Sequence, residues 1–166
     1  MPELLVHDSR ARRPAVWAGG TPQVARFKTF APVDTRSAEF VALLPAFRST
    51  GGLATGSEVC ARYERRRPDG LSDLARRIAA VQLISFEWNA NLWLPMFQFD
   101  LETMEMAKGP HAIVRELDGV LDGWEITKWF AAPHAYLRGM APLHALASDL
   151  AGAIDAARLD RFIARG

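Results

Sequence analysis

Ser85-Phe86-Glu87-Trp88-Asn89-Ala90-Asn91-Leu92-Trp93-Leu94-Pro95-Met96-Phe97-Gln98-Phe99-Asp100 is the stretch on which the fold turns. Residues 81–88 and 92–99 are rich in β-branched and aromatic side chains, and Asn89-Ala90-Asn91 between them is a turn sequence. That pattern predicts two antiparallel strands joined by a three-residue turn. Pro95 lacks the N–H a ladder needs, so the second strand is expected at a sheet edge or at a bulge. Four of the five tryptophans lie between residues 88 and 129, with no cluster of catalytic side chains beside them. Such a concentration suits a packed core or a partner-binding face.

Helical periodicity flanks this hairpin on both sides. Upstream, Phe40, Leu43, Leu44 and Phe47 recur at i, i+3, i+4 and i+7, one face of a helix that Pro45 should end or bend. Thr55-Gly56-Ser57-Glu58 has the form of a capping box and starts a helix to about Arg65. After the Pro68-Asp69-Gly70 turn, Ser72 offers a cap for a helix over 73–80 with Leu74 and Ile78 inward. Two short helices and a tight turn have the organisation of a helix-turn-helix, with the hairpin as its wing. Downstream, Ala112, Ile113, Leu117, Val120 and Leu121 form a stripe. Asp122 caps a helix presenting Ile126, Trp129 and Phe130, Pro133 stops it, a short helix follows near 142–147, and Asp149 caps a last one to about Ala164. Residues 1–34, with four prolines and the pair Gly19-Gly20, are expected to be a flexible arm.

The fold class expected is therefore mainly α with one β-hairpin. Its parts are an arm over 1–34, a helix-turn-helix-like unit over 35–100 and a small helical bundle over 101–166. At 166 residues the chain fits one domain with an extension. A lone Cys60 rules out an internal disulfide and matches a reducing compartment. No apolar run reaches the ~20 residues of a membrane span, and none has signal-peptide length. A cytoplasmic location is the expectation, with no membrane partner. Residues 1–70 carry eleven Lys and Arg against seven Asp and Glu, a net of +4; residues 71–166 carry nine against twelve, a net of −3.

Motifs for chemistry are missing. His7, His111, His134 and His144 have no metal-ligand spacing, and there is no paired-cysteine motif, phosphate-binding glycine loop or nucleophile elbow. No enzyme activity, cofactor or metal is expected. Trp124 and Trp129 are five residues apart, 140° out of alignment on a helix, so they face different ways. With Trp129 inward beside Ile126, Trp124 is expected near the rim as a contact residue.

The order Phe97-Gln98-Phe99-Asp100, Trp124, Trp129-Phe130, Pro133, then Leu137-x-Gly139-x-x-Pro142-Leu143 resembles the MbcA/ParS/Xre-type antitoxins. The resemblance covers roughly Trp93 to the C-terminus. Arg138 stands where that family usually has its first glycine, and His134 where an asparagine is common. The resemblance implies a non-enzymatic bacterial antitoxin whose C-terminal domain binds a RES-domain toxin, or an orphan relative that kept the fold. The residues expected at the partner face are Trp124, Arg138, Met140, Arg158, Arg161 and Arg165. If those three arginines of the last helix are instead a solvated face, Leu159, Phe162 and Ile163 are expected to hold that helix to the domain. The alternative is a small DNA-binding regulator in which Arg62, Arg65, Arg66, Arg76 and Arg77 contact phosphates beside the hairpin. Self-association is the remaining partner expectation.

Overall fold

A computed structural model of the chain describes residues 35–68 and 70–166; the expected arm over 1–34 and its basic cluster Arg10-Ala11-Arg12-Arg13 lie outside them. The described residues are mainly α-helical with a small antiparallel sheet. Helix α1, Thr35–Phe47, buries Phe40, Leu43 and Phe47 and leaves Leu44 outside. Pro45 does not end it. It lies in the last turn, where its missing N–H forfeits a single helical bond. The chain runs on to Phe47, tightens into a 3-10 turn over Arg48–Thr50 and is closed by Gly51 at φ 94°.

Thr55 caps α2, Gly56–Arg66, through the expected reciprocal box. Its Oγ1 accepts from the Glu58 N–H, and its own N–H donates to the Glu58 carboxylate at 2.7 Å. Val59 and Tyr63, four apart, are the inward residues. Helix α3, Leu71–Ala79, begins one residue before Ser72, which is therefore not its cap. Gly70 holds that position with no side-chain hydrogen bond, and Leu74 is the buried anchor.

The hairpin forms with a tighter turn than expected. Strands β2, Phe86–Trp88, and β3, Asn91–Pro95, pair Trp88 with Asn91, so only Asn89 and Ala90 are in the loop. Both have positive φ, 50° and 57°, the conformation a two-residue turn needs to match strand twist. A third strand, β1 over Leu53–Thr55, pairs with the other side of β3, giving the order β1-β3-β2. The strand carrying Pro95 is thus central, not an edge. It tolerates proline because Pro95 is its last residue, after which a 3-10 turn over Met96–Gln98 begins. Residues 81–85 are not a strand: Gln98 is buried beside them, donates from Nε2 to the Ile84 carbonyl at 2.8 Å and accepts the Ile84 N–H at 2.7 Å.

Four further helices follow: α4, Lys108–Leu117; α5, Gly123–Ala131; α6, Pro142–Ser148; and α7, Leu150–Arg165. Asp122 and Glu125 build a second capping box at α5, and Asp149 accepts from the Gly152 N–H at α7. Gly123 is required where α5 meets the segment before β2, since a Cβ there would lie 1.9 Å from the Ser85 carbonyl oxygen. Helix α7 packs on α4, α6 and the 135–137 turn and buries Ala153, Ala156 and Ala157, whose small side chains allow close approach.

The described residues belong to one compact unit, and the core does not divide at residue 100. One apolar cluster joins α2, α3, Leu94, Met96, Phe99 and Met104. The other joins α1 to Phe86 and helices α4 to α7. Aromatic contacts knit the second: Phe40 stacks on Trp88 at 3.8 Å, Phe47 on Phe97 at 5.7 Å, and Phe97 meets Phe130 at 4.7 Å. No described helix is long and apolar enough to cross a membrane.

Candidate protein-binding face

The 134–140 turn and helix α7 form one side of the molecule. Asp160 of α7 joins them: its Oδ2 accepts the Trp129 Nε1–H at 2.6 Å and contacts His134 Nε2 at 2.9 Å. His134 Nδ1 accepts the Tyr136 N–H at 3.2 Å, so the neutral ring carries its proton on Nε2 and donates to Asp160. The imidazole thereby performs the turn-capping role of an asparagine side chain. The loop is closed by His134 N–H to the Met140 carbonyl and Gly139 N–H to the His134 carbonyl. Arg138 takes a left-handed conformation at φ 57°, followed by Gly139 at φ 83°. A non-glycine residue there costs about 1–2 kcal/mol, which the surrounding hydrogen bonds and the buried Leu137 offset.

The face this turn presents is apolar and exposed. Tyr136 and Met140 project from the turn, and on α7 Leu159, Phe162 and Ile163 are 40%, 74% and 65% exposed. This reverses the expectation that those three hold the helix down. The alanines at 153, 156 and 157 do so instead, and at 100° per residue Phe162 falls opposite them. The signal was in the sequence: three alanines at i, i+3 and i+4 mark a close-packing stripe as well as leucines do. On the same wheel Leu159 and Ile163 fall beside Phe162, so the three form one exposed apolar strip of α7, while Asp160, on the packed side, ties the helix to the 134–140 turn.

The expected contact residues divide. Trp124 is a correction: it is 7% exposed, edge-on to Phe86 at 5.0 Å, with the Arg36 guanidinium 5.1 Å from its ring centre. Helix α5 is covered on two sides, by α1 and β2 around Trp124 and by α7 around Trp129, so the 140° between the tryptophans exposes neither fully. Arg158 and Arg161 both pair with Glu116 of α4, Arg158 also with Asp155, and they fasten α7 to α4. The Arg158 guanidinium is held further above its ordinary pKa by the Glu116 hydrogen bond. Arg138, Met140 and Arg165 are exposed, and neither arginine side chain has a hydrogen-bond or ion-pair partner among the described residues.

The arginines of the alternative reading divide too. Arg62, Arg65 and Arg66 share one face of α2 and line a cleft with Leu101 and Met104. Arg76 and Arg77 belong to α3 and are both engaged by Asp73, whose carboxyl lies below its ordinary range through those bonds, Arg77 first.

No protein-family model, curated protein or solved structure matches the chain.

Proposed function

We propose that this chain is a non-enzymatic binding protein of antitoxin type, acting in the cytoplasm, that occludes a RES-domain toxin with the 134–140 turn and the outer side of α7. One observation carries the reading: a row of large apolar side chains, Leu159, Phe162 and Ile163, stands exposed on a helix that its arginines fasten to α4 and that Asp160 ties to the turn carrying the exposed Tyr136 and Met140. A contiguous exposed apolar patch of this kind marks an interaction site. The resemblance noted in the order of aromatic, glycine and proline residues supports the identity of the partner.

The test is a pull-down of the tagged full chain from its native lysate, repeated with Phe162→Asp and Ile163→Asp together. Stoichiometric recovery of a RES-domain protein by the parent chain, and its loss in the double variant, is the expected outcome. Both positions are solvent-facing, so the variant should melt within a few degrees of the parent. Recovery of self alone would refute the toxin partner and favour an orphan relative.

A second reading has a specific observation behind it. Arg62, Arg65 and Arg66 face a common cleft without ion-pair partners among the described residues, as phosphate-contacting arginines would. DNA binding through them would weaken with a log–log salt slope of about −0.9 per phosphate neutralised. Salt-insensitive binding, or none at low ionic strength, would remove it.

A further inference from the structure

Between α2, α3, the segment 99–106 and the start of α4 lies a cleft of about 280 Å³ that neither reading above uses. Its floor is apolar, formed by Leu74, Leu83, Phe99, Met104 and Met106. Its mouth is cationic: Arg67, Arg77 and Lys108 line it. The Lys108 ammonium has no hydrogen-bond or ion-pair partner among the described residues. Arg67 reaches Glu105 only at 3.9 Å, and Arg77 donates Nε to Asp73 at 2.7 Å and Nη1 to Gln82 at 3.5 Å, which leaves three of its five N–H groups. Glu105 at the mouth and Asp73 behind Arg77 are the carboxylates nearby, so positive charge prevails. A second observation agrees. His111, one turn along α4 from Lys108, is pushed below its ordinary pKa by burial and then by Arg115 and Arg77. Of the cations lining the cleft, Arg77 is the one this imidazole feels.

An apolar floor beneath a surplus of positive charge is the arrangement that holds a small molecule by its body and orients it by its head. We propose that this cleft binds a small amphiphilic anion, its apolar body on Phe99 and the two methionines and its phosphate or carboxylate head against Lys108, Arg77 and Arg67. The Phe99 ring and the adaptable Met104 and Met106 side chains suit a planar or branched body.

The experiment titrates the full chain with phenyl phosphate, benzoate, inorganic phosphate and benzyl alcohol, following the His111 imidazole by NMR across pH. Phenyl phosphate or benzoate should bind more tightly than either inorganic phosphate or benzyl alcohol, and the tighter of the two identifies the head group. Bound anion should move the His111 pKa upward by neutralising Arg77. Lys108→Gln, at an exposed position in the first helical turn, should weaken binding about tenfold, the loss of one charge-assisted contact. Three results would overturn the proposal: no saturable binding at millimolar ligand, equal affinity for phenyl phosphate and inorganic phosphate, or unchanged affinity in the glutamine variant.

Discussion

Gln98 does most at the scale of a single residue. It is a buried polar side chain whose amide bonds both backbone groups of Ile84, fourteen residues away. Ile84 N–H and carbonyl make no other hydrogen bond among the described residues, so removing the amide leaves two buried polar groups unsatisfied. Gln98→Leu should therefore destabilise by about 2–5 kcal/mol despite the gain in apolar surface; chemical denaturation measures it, and a loss under 1 kcal/mol would contradict the bidentate role. Sequence reading placed Gln98 within a recognisable run but assigned it to a strand, because alternation alone cannot tell a ladder residue from a side chain that replaces the ladder. Trp124 escaped for a related reason: the helical angle between two tryptophans says they differ in direction, not how many sides of the helix are covered.

Among the elements, those with their own capping chemistry were legible. The boxes at Thr55 and Asp122 and the cap at Asp149 define helix starts within a few residues, since each depends on side chains three apart. Strand β1 was not legible, because three residues in a glycine-flanked turn carry no period and form a strand only when β3 is present. The box at Thr55 and the turn that Asp100 closes also set an acid limit. Glu58 lies below its ordinary 4.5 through the Thr55 N–H and hydroxyl, and Asp100 below its ordinary 3.8 through the Thr103 N–H and hydroxyl and the Glu102 N–H. A carboxyl with a lowered folded-state pKa adds stability above its unfolded value and loses it as pH falls through the folded one. Thermal stability should hold above pH 4.5 and decline below it, less steeply in Thr55→Ala, which itself should lose about 1 kcal/mol at neutral pH. A parent and variant with parallel acid curves would refute the contribution of the box.

For the molecule as a whole, the division into an N-terminal reader and a C-terminal binding bundle is cut across by α1, which shares its core with helices from the far end of the chain. Sequence order could not disclose this, because the aromatic stack from Phe47 through Phe97 to Phe130 joins segments more than eighty residues apart. One consequence concerns the ribosome. The cluster around Val59, Tyr63 and Leu94 is complete once Met104 has emerged. The cluster around α1 stays open until Ala157 follows, on the order of five seconds later at roughly ten residues per second. Local contacts close before distant ones, so pulse-labelled hydrogen exchange during refolding should protect α2 amides before those of α1. The reverse order would overturn this sequence of events. Through that interval the nascent chain carries Phe40, Leu43 and Phe47 on a helix without its full cover, and there a chaperone would find its purchase.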